Sequence, residues 1–165
     1  AAGAGKVKVY MGAARTNWDQ IPLARAMDTL SLDIAVGELK NPVAVNIGNP
    51  HAVFFVNNVE SIDIERLGPR LEVNPLFPNR VNIGVAEIQD KSRIRLRVWE
   101  RGVGLTQACG SGACASVVAA ARRTLITGRS ASVILDGGTL EVEWLDDGQV
   151  CMTGPVSTSF IGLVA

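Results

Sequence analysis

Hydrophobic and polar residues alternate along several short segments of this chain. Alternation with a period of two is the pattern of a β-strand with one buried face. In residues 93–99, for example, three arginines alternate with isoleucine, leucine and valine. The pattern predicts strands over residues 6–11, 43–47, 51–56, 81–89, 93–99, 132–135, 139–144, 150–153 and 156–161. Gly-containing turns such as residues 136–138 (DGG) indicate that many of these strands are joined as hairpins.

Two segments have the character of helices. Ser61 or Asp63 is a suitable N-cap for a short helix that ends near Leu71. Residues 113–121 (ACASVVAAA) are apolar nearly all round, and a helix that is apolar on every face is a buried helix. Short strands around one buried helix predict an α+β fold, with an antiparallel β-barrel-like sheet wrapped around one buried central helix.

Composition excludes several classes of protein. The chain has 165 residues, of which 47% are hydrophobic, and its 16 Lys and Arg balance its 16 Asp and Glu. Such a chain is not intrinsically disordered, and its charge gives no reason to expect a nucleic-acid partner. No apolar run is long enough for a membrane span. Three cysteines do not suit a disulfide scaffold, which favours a reducing compartment, the cytoplasm.

Cys109 is the first candidate for chemistry, because it lies in a small-residue, Gly-rich segment at the start of the predicted buried helix. The free N–H groups and the dipole of a helix start favour a thiolate and attract an anion. A thiol base and a bound carboxylate would then lie next to each other at the helix start. A tight turn that needs a small residue explains Cys109 equally well. Cys114 and Cys151 are interpreted as core residues, and the cysteine spacing does not fit a metal site.

Five further polar residues are candidates, and each also has a structural explanation. His51 is the only histidine and titrates near neutral pH when exposed, and Asn49 precedes it in a turn. Asn82 interrupts an apolar strand and needs hydrogen-bond partners if it points inward. Glu100 and Arg101 end a strand, and arginine offers a planar fork that suits carboxylates.

Four motifs, in this order, resemble those of the diaminopimelate epimerase family. They are residues 46–51 (NIGNPH), 81–84 (VNIG), 98–115 (VWERGVGLTQACGSGACA) and 152–155 (MTGP). The similarity begins at about Lys6 and covers the second half of the family's usual chain. It implies the family's fold of two similar domains, each a barrel-like sheet around a central helix. It also implies a cofactor-free enzyme that interconverts LL- and meso-2,6-diaminoheptanedioate in lysine and peptidoglycan biosynthesis.

The resemblance also assigns roles to individual residues. The family uses two cysteines on opposite faces of the substrate α-carbon: one removes a proton and the other returns one. Cys109 matches the second of them, and Gly110 and Ser111 match positions whose backbone amides bind the α-carboxylate. The remaining matches are substrate-binding residues, Asn49, Asn82, Glu100 and Arg101, and residues that adjust the protonation of the thiols, His51 and Glu100.

The sequence departs from the family in lacking a second Gly-rich cysteine motif. We therefore interpret residues 1–5 as a linker or cut end and residues 6–165 as a C-terminal domain that is inactive alone. The last strand, about 155–165, is expected to pack toward the absent N-terminal domain, with Phe160 as a contact. The implied partners are diaminopimelate, that domain and a second copy in a full-length homodimer. Leu105, where many members carry an acidic residue, affects no assigned role.

Two alternatives remain open at this point. A related racemase or isomerase of the same fold, acting on another substrate, would not need all of Asn49, Asn82 and Arg101. A non-catalytic binding domain on this scaffold would not need a reactive Cys109. A thiol redox role is less well supported, because Cys109 and Cys114 lie along one helix and cannot readily form a disulfide.

Overall fold

A computed structural model describes residues 5–156 and 161–162. The first strands in that part of the chain are β1 (Lys6–Ala13), β2 (Ala35–Val36), β3 (Leu39–Lys40), β4 (Val43–Asn46), β5 (Pro50–Val56) and β6 (Asn82–Asp90). They are followed by β7 (Arg93–Glu100), β8 (Gly104–Thr106), β9 (Ser130–Leu135), β10 (Gly138–Trp144) and β11 (Gln149–Pro155). The helices are α1 (Ile64–Glu72) and α2 (Gly110–Arg122), and a 3₁₀ turn spans Val59–Ser61.

Nine of these strands form one curled sheet. Its order is β1-β11-β10-β9-β7-β6-β5-β4, with β8 also paired to β7, while β2 and β3 form a separate hairpin. The two ends of the sheet meet where Arg15 and Asn46 exchange backbone hydrogen bonds, each with an N···O distance of 2.9 Å. This bridge closes the sheet into the barrel-like layer that the sequence predicts.

The direction of the strands is mostly antiparallel, as the hairpin turns predict, but two neighbouring pairs are parallel. β5 and β6 are one pair, and α1 lies in the connection between them. β7 and β9 are the other pair, and the chain between them includes β8 and α2. A parallel pair needs a crossover connection rather than a hairpin. The sequence pattern marks both helices but not the direction of the strands that they connect.

Helix α2 runs through the inside of the barrel, which confirms the prediction of a buried central helix. All nine residues from position 112 to 120 are buried, and most are Gly, Ala or Val. Small side chains allow the helix backbone to lie close to the surrounding strands, so the barrel can close tightly around it. Cys114, in this helix, is fully buried, and Cys151 in β11 is 1% exposed, as expected of core residues.

Helix α1 packs on the opposite face of β5 and β6, in a second hydrophobic cluster that includes Phe54 and Leu67. It begins as predicted, because the side chain of Asp63 accepts a hydrogen bond from the backbone N–H of Arg66. It ends at Glu72, one residue beyond the predicted end. Neither helix in the described part of the chain is long and apolar enough to cross a membrane.

The two ends of the described chain differ from the strand predictions. The first strand was expected to be half-buried, yet Val7 and Val9 in β1 are 46% and 41% exposed, because no other described segment covers them. The expected strand over residues 156–161 is not seen at Val156 or Ile161, since β11 ends at Pro155. The rest of that segment, with Phe160, lies outside the described residues.

Candidate active site

The start of helix α2 holds the candidate thiol. Cys109 is the N-cap of α2, and its Sγ accepts a hydrogen bond from the backbone N of Gly112 at 3.4 Å. The hydroxyl of Ser111 lies 3.6 Å from the same sulfur. Gly112 has no room for a side chain, since a Cβ there would lie 2.9 Å from Cγ2 of Val98 and 3.2 Å from Sγ. Sulfur therefore occupies the capping position that serine or aspartate takes in many helices.

The protonation of Cys109 corrects the expectation of a lowered thiol pKa. Cys109 is only 6% exposed, and burial raises the pKa of its thiol. Hydrogen bonds from Ser111 and Gly112 act in the opposite direction, but the nearby Glu100 carboxylate raises the pKa further. The effects of burial and of a neighbouring anion on the thiol pKa thus outweigh the effect of the helix start. At neutral pH this cysteine carries its proton, which suits a proton donor.

Two backbone N–H groups at the same helix start are free to bind a ligand. In the described part of the chain, neither the N–H of Gly110 nor that of Ser111 has a hydrogen-bond acceptor. Both residues are half-buried, so their N–H groups are not fully solvated. Unpaired N–H groups at a helix start favour an anion such as a carboxylate. The resemblance predicts that the substrate α-carboxylate binds at this position.

His51 lies beneath this helix start, in β5, and is fully buried. Its Nε2 is 2.9 Å from Oδ1 of Asn49 and 3.1 Å from Oγ of Ser111. An amide oxygen only accepts hydrogen bonds, so Nε2 carries the ring proton. Nδ1 is buried without a partner in the described part of the chain. Burial lowers the pKa of His51 to about 3, and the charge of Arg101 acts in the same direction, so the ring is neutral.

Asn82 and Arg101 form a second group beside His51. Asn82 is opposite His51 in the parallel pair of β5 and β6. Its Nδ2 donates to the backbone O of Pro50 at 3.1 Å, and its Oδ1 accepts from the backbone N of Arg101 at 3.0 Å. The guanidinium of Arg101 donates to the backbone O of Asn79 at 2.7 Å. Asn82 thus fixes the backbone of Arg101, and both of its side-chain polar atoms are engaged within the protein.

Glu100 ends strand β7 and is half-buried. Its Oε1 accepts a hydrogen bond from Oγ1 of Thr106 at 2.7 Å, across the hairpin of β7 and β8. Thr106 is not recognisable from the sequence, because β8 is too short to show a strand pattern. Thr106 orients the carboxylate that raises the pKa of the Cys109 thiol.

The structure therefore brings the predicted site residues to one end of the barrel. That end is formed by the starts of β5 and β6, the end of β7 and the start of α2. Asn49, His51, Ser111 and Cys109 form one chain of polar contacts there. Within the described residues, no group of three or more His, Cys, Asp and Glu side chains is arranged to hold a metal ion.

Comparison with known proteins identifies the family. The family model described as diaminopimelate epimerase matches residues 43–159. This chain belongs to the diaminopimelate epimerase family. A diaminopimelate epimerase from Rhodospirillum centenum is 57% identical over 158 residues, which are 96% of this chain and 54% of that protein. One from Erythrobacter litoralis is 52% identical over 162 residues, 98% of this chain and 60% of that protein.

The chain thus spans a little over half the length of these relatives. A solved structure described as a predicted epimerase from Pseudomonas aeruginosa resembles the chain with a TM-score of 0.56 at 16% sequence identity. That likeness covers 98% of this chain and 61% of the other chain. It confirms the epimerase-like fold, and the family match confirms the resemblance found in the sequence.

Proposed function

We propose that this chain provides one half of the active site of a diaminopimelate epimerase. The enzyme interconverts LL- and meso-2,6-diaminoheptanedioate without a cofactor, in the cytoplasm and as a homodimer. Family membership supports this proposal, as does the name of the relatives that share more than half of this chain's residues. The observation that carries it is the protonated Cys109 beside the free N–H groups of Gly110 and Ser111.

The chemistry requires two thiols. A thiolate on one face of the substrate removes the α-proton, and the electron pair of the broken C–H bond remains on the α-carbon. The Cys109 thiol then gives its proton to the opposite face of that carbon and is left as a thiolate. Hydrogen bonds from Gly112 and Ser111 stabilise the charge on sulfur. The N–H groups of Gly110 and Ser111 stabilise the carboxylate next to the developing carbanion.

A second domain supplies the other thiol. Of the other cysteines, Cys114 is fully buried inside the barrel and Cys151 is 1% exposed, so neither has access to a substrate at Cys109. Both lack the glycine-rich helix start that makes Cys109 suitable. This is why we propose that the chain is a C-terminal domain and that it is inactive alone.

The surface beside the site is suited to covering by that domain. Val7, Val9 and Val156 are between 41% and 46% exposed at the edge of the sheet. Val9 pairs with Met152, and Sδ of Met152 would lie 3.1 Å from a Cβ at Gly110. The exposed valines are therefore close to the start of α2. Packing of the second domain there removes apolar surface from water and closes the site against solvent.

The remaining matched residues bind the end of the substrate that is distant from the reacting carbon. We propose that Arg101 and Asn49 contact the distal amino-acid group, and that Asn82 acts by fixing the backbone of Arg101. We propose that His51 influences the protonation of the Cys109 thiol through Ser111. Glu100 influences it through its negative charge near Cys109. A distal amino-acid group needs both donors and acceptors, which these residues provide.

The test uses the complete product of the gene that encodes this chain. The Cys109→Ala variant should lose diaminopimelate epimerisation by a factor of about 10³ or more, because an acid–base group is removed. The matched control is Cys151→Ala, which removes a buried thiol to which we assign no role in the site and should keep most of the activity. Activity is measured as conversion of LL- to meso-2,6-diaminoheptanedioate, because the thiolate of the other domain can by itself exchange the α-proton with deuterium from solvent.

Full activity of Cys109→Ala would exclude the proposed role. A separate assay of the purified 165-residue chain should show no turnover of LL-diaminopimelate. Turnover by this chain alone would contradict the proposal that it holds half a site. Epimerisation of a different amino acid, but not of diaminopimelate, would favour a related racemase of the same fold.

A further inference from the structure

Glu72 is a buried carboxylate that has no part in the chemistry described above. It is 7% exposed and is the last residue of α1. A helix C-terminus is the negative end of the helix dipole, so an anion there is unfavourable, and its burial adds a desolvation cost. A carboxylate in this position needs strong compensating contacts.

Three donors provide these contacts. Oε2 of Glu72 accepts a hydrogen bond from Nε1 of Trp99 at 2.8 Å. Oε1 accepts from the backbone N of Gly102 at 3.0 Å and from the guanidinium of Arg80 at 3.2 Å. Burial acts to raise the pKa of Glu72, but these three hydrogen bonds outweigh it and hold the pKa below its usual value. Glu72 is therefore charged at neutral pH and links α1 to the end of β7.

Gly102 belongs to the tight turn that joins β7 to β8. The turn is closed by a hydrogen bond of 3.0 Å from the backbone N of Val103 to the backbone O of Glu100. Gly102 has a φ of 74°, a left-handed conformation that glycine adopts without strain. The turn carries two of the candidate site residues, Glu100 before it and Arg101 within it.

Two side chains from outside the hairpin hold adjacent N–H groups of this turn. Oδ1 of Asn82 accepts from the N–H of Arg101, and Oε1 of Glu72 accepts from the N–H of Gly102. Helix α1 and strand β7 are also in close contact, because a Cβ at Gly68 would lie 2.6 Å from the indole of Trp99. The turn is thus fixed from two directions, by β6 and by α1.

We propose that Glu72 is a positioning residue, which holds the turn so that the Glu100 carboxylate stays beside Cys109 and Arg101 stays at the substrate side. The position of Glu100 can be tested without any assumption about the reaction. The effect on catalysis rests on the epimerase function proposed above. Glutamine offers one accepting oxygen where glutamate offers two, so Glu72→Gln leaves either the N–H of Gly102 or the indole N–H of Trp99 without an acceptor, and the turn becomes mobile.

The first test measures the pH dependence of Cys109 alkylation by iodoacetamide in the purified chain, with the modified cysteine identified by peptide mass spectrometry. In Glu72→Gln the midpoint should fall by about half a pH unit or more, because Glu100 no longer opposes the thiolate. The matched control is Glu65→Gln, which changes an exposed glutamate of the same helix and should leave the midpoint unchanged. A residue that only stabilises the fold would lower the melting temperature without moving this midpoint.

The second test compares kinetic constants for diaminopimelate in the complete gene product. Glu72→Gln should raise KM about tenfold and change kcat by less than about threefold, since Arg101 binds and does not transfer a proton. Glu72→Asp keeps the charge on a shorter side chain. It should shift the alkylation midpoint and KM in the same directions as Glu72→Gln, by smaller amounts. This variant replaces Glu72→Gln in both tests if Glu72→Gln does not fold.

The two tests separate the two proposals. An unchanged alkylation midpoint in a folded Glu72 variant overturns the positioning role, whatever the enzyme does. A shifted midpoint in a protein whose wild type does not turn over diaminopimelate supports the positioning role and rejects the epimerase function.

Discussion

The hydroxyl oxygen of Ser111 lies 3.1 Å from Nε2 of the buried His51. Because Nε2 carries its proton toward Asn49 and Ser111, the Ser111 oxygen accepts there. Its own hydrogen is then free to point toward Sγ of Cys109, 3.6 Å away. The ring of His51 is therefore linked to the thiol through the hydroxyl of Ser111, without a direct contact.

Removal of this hydroxyl should make the thiol less acidic. In Ser111→Ala the sulfur loses one of its two hydrogen-bond donors, so the pKa of Cys109 should rise. The measurement is the pH midpoint of iodoacetamide alkylation at Cys109, which should move up by about half a unit or more. Ser111→Thr keeps the hydroxyl and is the matched control. A lower midpoint in Ser111→Ala would show that the hydroxyl does not donate to sulfur.

The buried neutral His51 should make stability depend on pH. Its pKa is about 3 in the folded chain and near 6.5 when the chain is unfolded, so between these values the unfolded state binds more protons. Stability should be full above pH 6.5 and fall as the pH drops toward 3. The loss due to this residue is at most about 1.4 kcal/mol per pH unit. Urea unfolding at several pH values between 4.5 and 7.5 measures it.

The control for this pH dependence is His51→Gln. Glutamine does not titrate, so the part of the slope that belongs to His51 should disappear, while the contributions of Glu72 and Asp90, whose pKa values are also lowered, remain. Equal slopes for the wild type and His51→Gln would contradict the assignment of a buried neutral histidine.

Two glycines at the start of α2 should respond differently to alanine. In Gly112→Ala the new Cβ meets Val98 and the sulfur of Cys109 in a closed environment, so stability should fall by about 1–3 kcal/mol. In Gly110→Ala the Cβ meets only the end of the Met152 side chain, which is flexible. Alanine also has the higher helix propensity, so this variant should be neutral or slightly more stable. Urea unfolding compares both, and equal losses would contradict the close packing at Gly112.

The sequence predicted the parts of the fold that depend on local pattern. The buried helix is visible because its apolar residues are contiguous, and the N-cap at Asp63 because capping needs a particular side chain at one position. Cys109 was recognised by its glycine-rich neighbourhood, although its thiol pKa was expected to be lowered and is raised. The helix start alone favours a thiolate, whereas burial and the Glu100 carboxylate act against it and raise the pKa.

The contacts that complete the site depend on distant parts of the chain and were not predictable from local pattern. His51 contacts Ser111 because α2 packs over β5 and its parallel neighbour β6. Hairpin signals in the sequence do not reveal that these two strands are parallel. Glu72 was missed because it is one glutamate in an ordinary amphipathic helix. The role proposed for it depends on hydrogen bonds from Trp99 and Gly102, which follow it by about 30 residues and lie in β7 and in the turn after β7.

The first and last described parts of the barrel lie side by side. Lys6 pairs with Pro155, and the backbone N of Val156 donates to the backbone O of Gly5 at 3.0 Å. The start of β1 therefore lies beside the end of β11. Such an arrangement suits insertion into a host protein or circular permutation, because a few linking residues can join the two ends without disturbing the pairing of the strands.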